Sequence, residues 1–183
     1  MIIRPTPIPD LNLVETNPNR DERGAFVRFY CEKELSTLIG LRRIVQINHS
    51  CTVNAGAVRG LHFQMSPHAE TKIVRCLRGR VWDVAVDLRK NSSTFLQWHA
   101  EELSSDNMLM MVIPEGFAHG FQTLEPQCEL LYLHTAEYSP AKEGGLRFDD
   151  PTLRIEWPLR TTDLSLRDAR HPLIDSKFQG LTL

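Results

Sequence analysis

No stretch of the 183 residues approaches the roughly 18 consecutive apolar positions of a membrane span. The opening Met1-Ile2-Ile3-Arg4-Pro5 lacks the apolar run of a secretory signal. Charge of one sign is lacking too: 21 Lys and Arg stand against 23 Asp and Glu, for a formal net charge of −2. With a pI of about 6.4, neither a nucleic acid nor a membrane is called for as a partner. Cysteine is sparse. Cys31, Cys51, Cys76 and Cys128 are scattered without a Cys-x-x-Cys pair, which argues against a disulfide framework or a zinc knuckle. They read as reduced packing residues of a cytoplasmic protein. No internal repeat or low-complexity segment is present, and no Walker or Rossmann glycine signature. Any phosphorylated ligand would therefore be held by side chains rather than by a glycine-rich loop.

What is there suits one core. At 42% hydrophobic content, residues 1–183 read as a single domain. Pro5 to Asp10 is proline-punctuated and extended, Asp21-Glu22-Arg23-Gly24 is a polar turn, and Ala25 to Tyr30 alternates as a strand. Glu32 to Ile39 suits a short helix closed by Gly40. From Ile44 the reading is almost all strand. In Val81 to Leu88, Trp82, Val84, Val86 and Leu88 share one face and Asp83 and Asp87 the other. Turns at Lys90–Ser93, Ser104–Asn107 and Pro114–Gly116 separate further strands at Met108–Ile113 and Leu130–Thr135. Leu164 to Ala169 reads as a helical turn in a C-terminal tail. Many short, evenly spaced strands predict an all-β sandwich or closed barrel, with its barrel core over about 44–140.

Two segments set a histidine beside glycine-rich turn chemistry: Gly56-Ala57-Val58-Arg59-Gly60-Leu61-His62-Phe63-Gln64 and Ile113-Pro114-Glu115-Gly116-Phe117-Ala118-His119-Gly120. Alternation puts Gly60, His62 and Gln64 on one face, opposite Leu61 and Phe63, which suggests a polar barrel interior. A lone histidine there is more often a hydrogen-bonded core residue than a catalyst. Lys72, a mid-strand lysine that solvent alone could explain, joins it, as do His119 and Tyr132, which points away from Leu131 and Leu133. As a set they have a chemical logic. A histidine removes a proton beside a carbonyl, a lysine stabilises the enolate, and a tyrosine returns a proton from the other face. Arg23, Arg59 and Arg167 offer planar forks suited to phosphate oxygens, although most arginines are simply solvated. The arrangement resembles a cupin, a jelly-roll double-stranded β-barrel, here with short N- and C-terminal helical segments. Where a metal-binding cupin has His-x-His, this chain has His62-Phe63-Gln64, and Lys72 replaces the acidic ligand. A cation in place of an anion argues against a metal, and no cofactor is expected.

The chain further resembles the dTDP-4-dehydrorhamnose 3,5-epimerase family over nearly its whole length. The resemblance rests on Asp21–Phe26, Gln46–Ser50, Val58–Gln64, Trp82–Asp87, Ser93–Phe95, Ile113–Phe121, Asp150-Pro151, Trp157-Pro158 and Leu164–Ala169, in that order. It implies a homodimer that exchanges its N-terminal strand and a nucleotide-diphosphate sugar as substrate. It gives His62 the role of base, Asp168 that of its orienting carboxylate and Tyr132 that of acid, with Lys72 and His119 lining the sugar site. Arg23, Gln46, Asn48, Arg59, Glu143 and Arg167 fall on nucleotide- and diphosphate-binding positions, and Phe26 and Tyr138 on positions that pack against the base. Asp83 competes with Asp168 as partner of the histidines. Arg28 departs from the pattern, standing where the family usually has a glutamate that contacts thymine. A guanidinium suits the N3 acceptor of cytosine, so Arg28 either alters base preference or faces solvent. The implied activity is epimerisation of dTDP-4-dehydro-6-deoxy-glucose at C3 and C5 through an enolate. The alternatives are a monofunctional 3- or 5-epimerase on a dTDP- or CDP-linked sugar, a metal-dependent cupin, and a non-catalytic sugar-binding barrel.

Overall fold

A computed structural model describes all residues 1–183. In chain order its elements are β1 (Ile2–Pro5), β2 (Asn12–Glu15), β3 (Asn19–Asp21), β4 (Gly24–Phe26), α1 (Glu32–Ile39), β5 (Gln46–Thr52), β6 (Val58–Gln64) and β7 (Lys72–Arg78). They continue with β8 (Arg80–Asp87), β9 (Trp98–Ser104), β10 (Leu109–Ile113), β11 (Phe117–Thr123), β12 (Cys128–His134), β13 (Glu143–Gly145) and α2 (Leu166–Ala169). A six-stranded sheet in the order β1-β2-β10-β7-β12-β5 faces a five-stranded sheet in the order β13-β6-β11-β8-β9. Pairing within both sheets is antiparallel. This is the cupin-type jelly roll. The barrel reaches beyond the expected 44–140 span, because β1 and β2 extend one sheet and β13 the other.

Strand alternation decides which side chains meet between the sheets. From β7, β8, β10, β11 and β12, Val74, Ala85, Met111, Phe121 and Leu130 pack into one cluster between them. Their neighbours along each strand point outward. Ile73, Met110, Val112 and Leu133 meet Leu35 and Ile39 of α1 on the back of the six-stranded sheet. Leu61, Val84, Val86 and Ala118 meet Leu146, Leu153 and Trp157 of the C-terminal segment on the back of the other. Both faces of each sheet thus carry apolar residues, and each fully buried Leu or Ile contributes roughly 1.5–3 kcal/mol.

Helix α1 forms over the predicted residues. Glu32 and Glu34 occupy its first turn, where the helix dipole favours anions. Glu34 also accepts from the Met1 ammonium at 2.6 Å and from Arg28 at 2.5 Å, and together these hold its carboxyl down to about 2. Gly40 ends the helix with φ 60, and its N–H bonds Ser36 O at 2.9 Å.

Three local readings are corrected. The strand expected over Ala25–Tyr30 ends at Phe26, because β3 and β4 form a two-stranded hairpin with no further strand to pair with. Lys72 opens β7 rather than lying in mid-strand. Cys76 and Cys128 are buried packing residues, but Cys51 is exposed, since odd-numbered residues of edge strand β5 face out of the barrel.

Candidate active site

A cavity of about 1150 Å³ opens between the two sheets, lined by residues of β5, β6, β7, β11, β12 and β13 and by the segment around α2. That volume exceeds the roughly 300–1,000 Å³ typical of pockets for drug-sized ligands. The five-stranded sheet contributes His62 and His119, which are direct register partners on β6 and β11. The opposing sheet contributes Tyr132 from β12, Lys72 from β7, and Gln46 and Asn48 from β5.

His62 Nε2 lies 2.9 Å from Asp168 Oδ1. Asp168 comes from α2, where Ser165 caps the turn by accepting from the Asp168 N–H at 3.0 Å. The other carboxylate oxygen accepts from Gly60 N at 3.1 Å. Burial alone would raise the Asp168 carboxyl, but the hydrogen bonds from His62 and Gly60 overcome it and hold this group well below the usual carboxylate range. The Arg167 guanidinium also sits 3.1 Å from His62 Nε2. A carboxylate only accepts and a guanidinium only donates, so the two contacts at Nε2 ask for opposite tautomers. The Asp168 contact is the shorter, at 2.9 Å, and it favours the hydrogen on Nε2 with the lone pair on Nδ1. Arg167 finds its own acceptor in Glu143, at 3.0 Å.

The competition between carboxylates resolves into two pairs. Asp83 is inward-facing and fully buried, but it bonds His119 Nε2 at 2.8 Å rather than His62. Burial pushes the His119 imidazole toward its neutral form, against the pull of Asp83. Tyr132 is stabilised as the neutral phenol, again chiefly by burial, and its hydroxyl lies 3.2 Å from Ser50 Oγ. The rings of His119 and Tyr132 meet edge-on with centroids 6.2 Å apart. Close approach of β6 and β11 is what lets His62 and His119 share the cavity. A Cβ at Gly60 would lie 2.5 Å from Gly120 Cα, and the backbone there has φ +130.

Toward the mouth, Arg59 donates to Thr52 Oγ1 at 3.0 Å and to Cys51 O at 3.2 Å. Tyr138 donates its hydroxyl to Glu143 at 2.8 Å and its backbone N–H to Gln46 Oε1 at 2.9 Å. Three expected site residues stand apart from this cavity. Arg23 pairs with Asp21 on the β3–β4 hairpin and its side chain is 89% exposed. Phe26 is 72% exposed. Arg28 reaches Glu34 of α1.

The donor set does not suit a metal. Gln64 spends its amide on His68 O, Glu137 O and the Ser139 N–H, at 3.1, 3.3 and 2.7 Å. Lys72, from the opposing sheet, brings a cation to the same cavity. His62, Asp168 and His171 lie close enough to share an ion, but Arg167 Nε and Nη2, 3.5 Å from Asp168 and 3.1 Å from His62, hold the place of its charge.

Residues 5–176 match the family model described as dTDP-4-dehydrorhamnose 3,5-epimerase. The chain belongs to this family. A dTDP-4-dehydrorhamnose 3,5-epimerase of Salmonella typhimurium is 46% identical over 177 residues, 96% of each chain. A crystal structure of the dTDP-6-deoxy-D-glucose-3,5-epimerase of Legionella pneumophila in complex with dTDP-4-keto-L-rhamnose is 38% identical. It superposes with a TM-score of 0.92 over 100% of this chain and 98% of that one. A 3′-monoepimerase of Streptomyces bikiniensis in complex with dTDP-quinovose is 28% identical, with a TM-score of 0.86 over 92% and 86%. This chain is thus an isomerase of the epimerase family.

Four lining or adjoining groups were not anticipated: Ser50, Glu70, His134 and His171. Three have a plain signal in alternation. Ser50 follows Gln46 and Asn48 on one face of β5, His134 follows Tyr132 by two on β12, and Glu70 precedes Lys72 by two. His171 packs edge-on against His62 with centroids 5.6 Å apart, from a segment without regular structure.

Proposed function

We propose that this chain epimerises a dTDP-linked 4-keto-6-deoxyhexose at C3 and C5, converting dTDP-4-dehydro-6-deoxy-glucose to dTDP-4-dehydro-L-rhamnose. The observation that carries the mechanism is the opposition of His62 on one sheet to Tyr132 on the other, across a cavity large enough for a nucleotide sugar. The 4-keto group acidifies the protons on C3 and C5. His62 Nδ1 takes one of them, and Asp168 balances the imidazolium that forms. Electrons move onto the keto oxygen, where the Lys72 ammonium and neighbouring polar groups stabilise the enolate. Tyr132, kept protonated by burial, returns a proton to the opposite face of the carbon. His62 then loses its proton to solvent and Tyr132 regains one, so no redox partner is required.

Arg59 and Arg167 supply guanidinium groups for the diphosphate, while Gln46, Asn48, Tyr138 and Glu143 meet the nucleoside and its linkage. A homodimer completes the site. The β3–β4 hairpin carries Arg23 and the exposed ring of Phe26 away from its own barrel, and pairing with a second copy would bring them against that copy's nucleotide. An aromatic this exposed on a two-stranded hairpin suits a docking role. No helix is long and apolar enough to cross a membrane, and four unpaired cysteines fit a reducing, cytoplasmic setting. The direct test is proton NMR of dTDP-4-dehydro-6-deoxy-glucose incubated with purified protein. Inversion at both carbons is expected. Inversion at C3 alone would place the chain with the monoepimerases, and no conversion would refute the reading.

A further inference from the structure

Lys72 does not face the cavity alone. Glu70 Oε1 lies 3.4 Å from its Nζ, while Glu70 Oε2 accepts from His134 Nδ1 at 2.7 Å. His134 is the register partner of Lys72 across β12 and β7. A lysine and a histidine therefore point inward side by side, an unfavourable pairing when both are charged, and the carboxylate bridges them. Because Nδ1 donates to Glu70, His134 Nε2 is left as an acceptor, and Asn48 Nδ2 lies 3.4 Å from it. With its NH₂ turned to the imidazole, Asn48 presents its carbonyl oxygen elsewhere. The ring of Tyr132 stacks on that of His134, with centroids 6.1 Å apart.

All of these groups line the main cavity, yet the side chains of Lys72, Glu70 and His134 are only 13%, 11% and 9% exposed. Burial would raise the Glu70 carboxyl, but His134 and Lys72 together hold it below its ordinary value. A buried ion network is a poor source of stability compared with apolar packing. Its position on the wall that carries the acid and the enolate-stabilising cation gives it a use.

We propose that Lys72, Glu70, His134 and Asn48 form a positioning relay across β7, β12 and β5, in which Glu70 and His134 fix the Lys72 ammonium for the keto oxygen and couple it to the Asn48 amide. The relay rests on the epimerase reading. Glu70 and His134 are positioning residues and exchange no proton with the sugar.

The test uses purified wild type, Glu70→Ala, Glu70→Gln, His134→Phe, His134→Asn and the double variant Glu70→Ala/His134→Phe. Each is assayed for kcat and KM on the dTDP-linked 4-keto sugar, and for Kd of dTDP alone. A catalytic group misplaced by about 1 Å costs on the order of 100-fold, so Glu70→Ala and His134→Phe should lose roughly 10- to 100-fold in kcat. In Glu70→Ala the Kd for dTDP should stay within about two-fold, because the loss is confined to the transition state. His134→Phe also frees Asn48, which meets the nucleoside, and should weaken dTDP by no more than about five-fold, less than its loss in kcat. His134→Asn, whose amide can donate to Glu70 from nearly the place of Nδ1, should recover most of the rate. Both residues act through one lysine, so the double variant should be no more than about two-fold slower than the worse single. Wild-type rates in the single variants, multiplied losses in the double, or dTDP affinity falling in step with kcat would each overturn the relay. If Glu70→Ala does not fold, the near-isosteric Glu70→Gln carries the same expectation of lowered kcat at unchanged dTDP affinity. An inactive wild type would instead overturn the epimerase reading, and the relay with it, so the two failures are distinct.

Discussion

Asp168→Asn isolates the orientation of the base from its presence. The variant keeps the shape of the side chain. Its Oδ1 can still accept from Gly60 N, which now bonds the carboxylate at 3.1 Å. That choice turns the new NH₂ toward His62 Nε2, where the carboxylate now lies at 2.9 Å. Two donors cannot share the contact, so the imidazole hydrogen moves to Nδ1, the nitrogen assigned to take the substrate proton. Losing a hydrogen bond to a charged partner costs about 1.5–3 kcal/mol, on the order of 10- to 150-fold in rate, before the wrong tautomer is counted. We therefore expect kcat, and deuterium exchange into substrate, to fall on the order of 100-fold or more while dTDP binding persists. Stability should respond with a definite sign. Because the folded Asp168 carboxyl sits below its unfolded value, its contribution is present above the unfolded pKa of about 3.9 and is lost as pH falls through the folded one. The Tm difference between wild type and variant should thus be largest near neutrality and shrink in acid. Exchange in the variant within about three-fold of wild type would refute the assigned hydrogen position.

Tyr132→Phe should retain exchange into substrate, since His62 can remove and return a proton on its own face, while inversion falls; equal loss of both would break the two-face assignment. Gly60→Ala should lower stability by about 2–4 kcal/mol in denaturant titration, because its Cβ would meet Gly120 Cα at 2.5 Å and His119 O at 2.9 Å. Activity should survive exhaustive chelation, as Gln64 and Lys72 stand where metal ligands would; stoichiometric metal with loss of turnover on its removal would contradict this. Arg28→Glu should change the ratio of kcat/KM for dTDP and CDP sugars by less than about two-fold if the guanidinium serves only Glu34, and by about ten-fold or more if it reads the base.

Alternation made much of this molecule legible. In β8 it separated Asp83 and Asp87 from Trp82, Val84 and Val86, and the two groups do occupy opposite faces of the sheet. The helix over Glu32–Ile39 was readable because acidic residues begin it and glycine ends it. Alternation says which face a residue occupies, but not which neighbour it meets across strands. The choice between Asp83 and Asp168 for His62 depended on how the C-terminal segment returns over β6, a long-range contact with no local signature. His134 and Glu70 share faces with Tyr132 and Lys72, but alternation alone does not separate a cavity-lining polar residue from a solvated one on the same face. The hairpin bearing Arg23 and Phe26 marks a different limit. In the proposed homodimer the second copy would complete the site, and one chain alone shows only an exposed aromatic and an arginine paired with its own neighbour.

The most direct test of proton transfer between opposed walls is incubation with dTDP-4-dehydro-6-deoxy-glucose in deuterated water, followed by NMR of the sugar. Deuterium should appear at both C3 and C5, with inverted configuration, in wild type, and at neither position in His62→Ala. Conversion without deuterium at the inverted carbons, or undiminished exchange in His62→Ala, would contradict it.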